Sequence, residues 1–235
     1  MSNNTVNITG FLTIGRVSTA NASRSSIPVV EGWISTGEAV MGGRHPFRAE
    51  DRQALVILEH ARMAGTNASG PVGVSAHARL VSCADVSYLD IKFISFFDTS
   101  FPVVKKRDGF AQSVASLQGH LTIRGESYLS LEQGGRAFYG LLGCLATGNA
   151  AQGGQHPVLI SGEELAALRQ DAHFQEVFRK LNRVTLPATL SGMLFTRHET
   201  IYVLAGFLSL DTRATQSESR STAQPHSPGS YLAKS

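Results

Sequence analysis

The 235-residue sequence predicts a mainly β protein of two tandem five-stranded barrels, each ordered β-β-β-α-β-β. Three observations carry that expectation. Residues 32–47 (GWISTGEAVMGGRHPF) recur without a gap at 143–158 (GCLATGNAAQGGQHPV), with eight of sixteen positions identical at an offset of 111. Identity of that order, including the rare His-Pro dipeptide, marks an internal duplication. Runs rich in β-branched and aromatic residues, bounded by Gly, Ser and Asn, fill most of each copy. Each copy also holds one stretch of helical periodicity, set between its third and fourth strand-like runs.

In copy one, residues 6–17 read as a strand and Ser18 to Ser26 as a Ser/Asn-rich turn. Residues 27–34 are a second strand with Pro28 near its start, where a missing N–H is tolerated. A Gly-rich loop, 37–43, leads to a third strand at His45-Pro46-Phe47-Arg48. Residues 50–64 predict an amphipathic helix with Ala54, Leu55, Leu58, Ala61 and Met63 on its inner face and Gly65 as its stop. Strands at 72–83 and 86–97 follow, joined by a turn at Ala84-Asp85.

Copy two repeats the order: strands at 119–123, 138–145 and 156–161, a helix from Glu163 through Arg169 and on towards Lys180, then a hairpin of 185–197 and 200–210. At an offset of 114, Leu80 matches Leu194, Tyr88 matches Tyr202, Phe93 matches Phe207 and Ser95 matches Ser209. The shared Phe93 and Phe207, inside apolar strands, are expected in the core. The division is repeat one at 1–98, a linker at 99–113, repeat two at 114–211 and a tail at 212–235. That tail is rich in Ser, Thr, Pro and Gln, and is expected to be disordered. Five strands with the helix between the third and fourth is the order of an OB-fold, a partly open Greek-key barrel. Immunoglobulin-like sandwiches have no helix there.

Net charge of +3 and a pI near 9.0 permit a polyanionic partner without requiring one. Apolar content of 42% suits a globular protein, and no run of about 18 apolar residues offers a membrane span. The polar residues 1–9 lack the layout of a signal peptide, so a cytoplasmic location and no membrane partner are expected. Cys83 and Cys144 occupy non-equivalent places in the repeats, which predicts neither a framework disulfide nor a metal site.

The repeated loop is not a phosphate loop, since the Lys of that motif is missing and the segment joins two strands. It reads either as a structural turn whose glycines supply positive φ or as a loop that closes over a ligand. His45 and His156 read as strand-entry residues that pack on it. The remaining histidines have no metal-ligand spacing, no G-x-S-x-G occurs, and Glu163-Glu164 suit the start of a helix. A non-enzymatic protein with no cofactor is expected.

An OB barrel binds single strands across its second and third strands, with cations for phosphates and aromatic rings for bases. The candidates in copy one are Phe11, Arg16, Trp33, Arg44, Phe47 and Arg48. Those in copy two are His120, Arg124, Arg136, Phe138 and Tyr139, with Lys105-Lys106-Arg107 between the repeats. Trp33 aligns with Cys144, which leaves both core packing and base stacking open for it.

The segment 10–17 (GFLTIGRV) resembles the first strand of bacterial single-stranded DNA-binding proteins. Residues 156–168 (HPVLISGEELAAL) resemble a strand-Gly-helix passage of replication-associated proteins of plasmids and integrative conjugative elements. The resemblance implies a non-enzymatic protein that binds single-stranded DNA with low sequence specificity during replication or transfer of a mobile element. Two barrels in one chain, and an end reading Tyr231-Leu232-Ala233-Lys234-Ser235 in place of an acidic tip, depart from the housekeeping pattern. The alternative is a protein-interaction or assembly module, with self-association through the barrels.

Overall fold

The computed structural model describes residues 4–22, 25–36, 43–63, 72–83, 86–97, 112–130, 137–148, 154–181 and 184–211. The first half contains β1 (Asn4–Ala22), β2 (Ser25–Thr36), β3 (Gly43–Glu50), α1 (Asp51–Met63), β4 (Val72–Cys83) and β5 (Val86–Phe96). The second contains β6 (Gln112–Ser130), β7 (Ala137–Ala146), β8 (Gln155–Ile160), α2 (Gly162–Gln170), α3 (Ala172–Leu181), β9 (Val184–Arg197) and β10 (Thr200–Leu210). Strands β2-β3-β5-β4-β1 close through a β1–β2 pairing, and β6-β7-β8-β10-β9 close through β6–β9. Each half is therefore a five-stranded OB-like barrel. The β3–β5 and β8–β10 pairs, which flank the helix in the chain, are parallel.

Alternation fills each barrel. Val6, Ile8 and Leu12 of β1 point inward, as do Leu117, Leu121 and Ile123 of β6, and one apolar cluster runs through both halves. Both barrels turn from their third strand into the helix through a left-handed residue, Asp51 (φ 50°) and Gly162 (φ 61°), 111 positions apart.

Several expected details change. Residues 18–22 are not a turn but continue β1, with Ser18 opposite Val29 and Ala22 opposite Ser25. Residues 112 and 113, expected in the linker, already belong to β6. Leu55 and Met63 of α1 are exposed, and the inner face carries Ala54 and Ile57. At 100° per residue Leu55 and Met63 fall off that stripe. The second helix is broken at Asp171, whose carboxylate accepts the Phe174 N–H at 2.8 Å and so starts α3 afresh.

Phe93 and Phe207 are the largest correction: they are 60% and 52% exposed, not core. The register slips by one residue at Lys92 in β5 and at Gly206 in β10, which inverts the alternation beyond each slip and turns the following phenylalanine outward. The two bulges are equivalent, at the same offset of 114 as the strands. The Ala84-Asp85 turn, residues 37–42 of the first loop, the cluster Lys105-Lys106-Arg107 and the tail from 212 lie outside the described residues.

The barrels join edge to edge. β1 pairs antiparallel with β6, from Asn4 opposite Leu117 to Thr9 opposite Gln112. Gly119-His120-Leu121-Thr122-Ile123 of β6 aligns with Gly10-Phe11-Leu12-Thr13-Ile14 of β1 at an offset of 109, so the central pair, Val6 and Ala115, are each other's equivalents. A pseudo-two-fold axis therefore passes through that pair.

Candidate nucleic-acid interface

Where they are described, the repeated stretches fasten one barrel to the other, and Thr147 and Gly148 also line a groove on barrel two. His45, fully buried, lies 2.7 Å from Thr36 Oγ1 through Nε2 and 2.8 Å from Thr196 Oγ1 in the opposite barrel through Nδ1. His156 repeats this with Thr147 Oγ1 at 2.8 Å and Ser82 Oγ of the first barrel at 3.0 Å. Thr36 and Thr147 are 111 apart; Ser82 and Thr196 are 114 apart, the offsets of the duplication. A neutral imidazole donates from one nitrogen and accepts at the other, which satisfies both hydroxyls. Burial pushes both histidines down to about 4, so the neutral form prevails at physiological pH. The last loop glycines join in: Gly154 (φ 78°) forms a bridge with Ser82, and Gly43 (φ 89°) lies against Thr196. The expectation that these histidines pack on their loops is extended: they also span the barrel junction.

The outer face of barrel one carries a groove of about 410 Å³ lined by Gly15, Arg16, Glu31, Trp33, Arg48 and Tyr88, with Glu199 of the opposite barrel at its margin. Trp33 sits on β2 between Thr13 of β1 and Pro46 of β3, and is 37% exposed. Gly15, the extra residue of a bulge in β1, makes room for it: a Cβ there would meet the indole at 2.6 Å. The Arg44 guanidinium lies over the same indole, 4.7 Å from the ring centroid, in cation–π geometry. Among the described residues Arg16 and Arg44 are exposed and form no ion pair. Desolvation raises the Tyr88 phenol above its ordinary value, which keeps it a hydrogen-bond donor.

Two candidates change character. Phe47 is 2% exposed; its ring belongs to the core, so it cannot stack on a base. Its place on β3 is inward-pointing, two residues from buried His45 and two from buried Ala49. Arg48 points outward but meets Glu50 at 2.7 Å and Glu31 at 3.5 Å, so two carboxylates already offset its charge. Phe11 is half-buried and His120 is exposed on a second groove of about 740 Å³, beside Thr147, Pro187 and Asp211. Arg124 falls at the bulge of β6, Phe138 and Tyr139 fall on β7, and Arg136 and the Lys105-Lys106-Arg107 cluster lie outside the described residues. The structure thus brings Arg16, Trp33, Arg44 and Arg48 onto one face of barrel one. Gly15, Tyr88 and Glu199 join them; Gly15 belongs to the segment 10–17 and Tyr88 is a repeat-matched aromatic, whereas Glu199 carried no sequence signal.

Among the described residues no cluster of His, Cys, Asp and Glu has a metal-binding arrangement, and no helix is long and apolar enough to cross a membrane. No family model matches the chain, and no curated protein matches it. Among solved structures it is similar to the wild-type single-stranded DNA binding protein from Thermus aquaticus, with 17% identity and a TM-score of 0.58 over 97% of each chain. A deletion mutant of that Thermus protein gives a TM-score of 0.55 at 17% identity, over 89% of this chain and 95% of that one. The likeness is one of fold, and it extends over nearly the whole of both chains.

Proposed function

We propose that this chain is a non-enzymatic protein that binds single-stranded DNA with little sequence preference. The observation that carries the reading is the Trp33–Arg44 stack beside Arg16 in the groove of barrel one. An indole offers a surface on which any base can stack, and the Arg16 and Arg44 guanidinium groups, in no ion pair among the described residues, offer charge to the phosphates on either side. The full-length likeness in fold to a single-stranded DNA binding protein supports the same reading. The resemblance of residues 156–168 extends it to replication or transfer of a mobile element in the cytoplasm. Fluorescence anisotropy with labelled oligo-dT of about 30 nucleotides, two OB sites at up to about 16 each, tests it. Saturable binding that weakens steeply with salt is expected; a folded protein that binds no oligonucleotide at low salt would refute it.

A second reading, self-association, rests on another surface. Strands β5-β4-β1-β6-β9-β10 form a continuous strip across the junction. Its outer face carries Phe93 opposite His77, His77 opposite Asn7, and Asn7 opposite Val114. The pseudo-symmetric row carries Phe207 opposite Ser191 and Ser191 opposite Ser116, with exposed Met193 two residues along. Phe93, Val114, Met193 and Phe207 thus present apolar surface about one axis, the arrangement that a second copy of the chain matches in itself.

A further inference from the structure

We infer that the two barrels are unequal toward a single strand: the base-stacking subsite that Trp33 and Arg44 form on barrel one is not reproduced at the equivalent positions of barrel two. This rests on the nucleic-acid reading above and goes beyond it, because duplication alone implies two like sites.

Trp33 pairs with Thr13 and Pro46; its equivalent, Cys144, pairs with Thr122 and Pro157. The strand neighbours are the same, and the indole is replaced by a thiol. Arg44, which stacks on the indole, has Gln155 as its equivalent, and the Cys144 Sγ lies 3.6 Å from that amide oxygen. The bulge residue that makes room for the indole, Gly15, is Arg124 in β6. Ring, cation and the space for the ring are therefore all altered together.

The floor of the groove changes as well. Barrel one has Glu31, Arg48, Tyr88 and Asp90 on this face, tied by ion pairs from Arg48 to Glu31 and from Arg79 and Lys92 to Asp90. Barrel two has Leu142, Leu159, Tyr202 and Leu204 at the same positions. They pack with Phe195 into a small apolar cluster separate from the main core. The Tyr202 ring is already stacked on Phe195, with centroids 5.0 Å apart. Val81 stands where Phe195 would be in barrel one, which leaves the Tyr88 ring to line the groove. The larger groove of barrel two holds no Trp, Tyr or Phe among the described residues. At these equivalent positions, among the described residues, barrel one alone presents an exposed aromatic plane.

Trp33 is the single tryptophan in the chain, so intrinsic fluorescence reports barrel one. Titration with oligo-dT of about 8 nucleotides, within the reach of one barrel, should quench it and saturate at one oligonucleotide per chain. Trp33→Ala should weaken binding roughly 5- to 150-fold, the loss of one stacked base, while Cys144→Ala should change it less than about twofold. In the Trp33→Ala background, the triple substitution Arg124→Gly, Cys144→Trp and Gln155→Arg should restore affinity and a saturable quench at the new site. If the triple variant does not fold, the first two substitutions and the titration decide the matter by themselves. Oligonucleotide bound by anisotropy with Trp33 fluorescence and Trp33→Ala affinity both unchanged would overturn the inequality and leave the binding reading standing. A flat anisotropy curve would overturn both.

Discussion

His45 Nδ1 lies 2.8 Å from Thr196 Oγ1, although 151 residues separate them and each belongs to a different barrel. His156 and Ser82 make the matching contact at 3.0 Å. Both rings are neutral in the folded protein because burial lowers their pKa to about 4, against 6.5 when unfolded. The unfolded chain therefore takes up protons first as the pH falls. The stability linked to these rings is fully present above about 6.5 and is lost as the pH drops towards 4, by about 3 kcal/mol per histidine at most. Denaturant midpoints measured between pH 7.5 and 4.5 should fall steeply. The His45→Gln, His156→Gln double variant should be less stable at pH 7.5 and show a flatter profile below 6.5. An equal slope in the variant would assign the acid sensitivity to other groups.

The two loop glycines at the junction should respond unequally to a methyl group. At Gly154 a Cβ would sit 1.9 Å from the Ser82 carbonyl oxygen, whereas at Gly43 the nearest atom is 3.7 Å away. Both residues have positive φ. Gly43→Ala should then cost about 1–2 kcal/mol from backbone strain alone, and Gly154→Ala about 3 kcal/mol or more, because the junction must also part. Equilibrium unfolding of the two variants checks the order. Equal losses would show that the Ser82–Gly154 bridge yields without resistance.

Arginines that look alike in sequence should differ in their salt response. Arg44→Ala removes a cation that no described carboxylate neutralises and should shallow the log–log salt slope of oligo-dT binding by about 0.7. Arg48→Ala should shallow it by less, since Glu31 and Glu50 already neutralise that side chain. Glu199→Gln removes an exposed carboxylate from the groove margin and should tighten binding by about twofold at low salt, fading as salt screens it. The reverse ranking of Arg44 and Arg48 would move the phosphate path towards β3.

If the continuous sheet face mediates self-association, Phe93→Ser with Phe207→Ser should shift the sedimentation coefficient at micromolar protein towards that of a monomer. The thermal midpoint should hardly move, as both rings are exposed in the single chain. A wild-type protein that sediments as a monomer at tens of micromolar would dispose of this surface as a self-association face.

Much of the architecture was legible because the duplication repeats its own punctuation. The strand runs, the helix between the third and fourth strands, and the equivalence of Leu80 with Leu194 all follow from patterns local to the chain. The meaning of the repeated T-G-x-A-x-x-G-G-x-H-P stretch was not legible. Thr36 and His45 lie within it, but their third partner, Thr196, comes from the far barrel, and no periodicity in one strand reports a contact across 151 residues. The bulges at Lys92 and Gly206 were hidden for a related reason. One extra residue inverts the alternation, so an apolar strand pattern that looks buried turns Phe93 and Phe207 to the outside. In the candidate groove, Trp33 and Arg44 were found by residue type and strand placement. Phe47 was misjudged because a single-residue step along β3 decides between core and surface, and Glu199 was missed because it arrives from the other half.

The pairing of Val6 with its own equivalent, Ala115, has a consequence for assembly in dilute solution. Two separate copies of one half could form that same antiparallel junction, but they would part as protein concentration fell below their dissociation constant. Joined through the stretch between Phe96 and Gln112, the halves meet at an effective concentration of order millimolar, set by the tether and not by the amount of protein present. Dilution therefore does not separate them. Tethering also makes a second half the favoured partner of each first half whenever the protein is more dilute than that effective concentration.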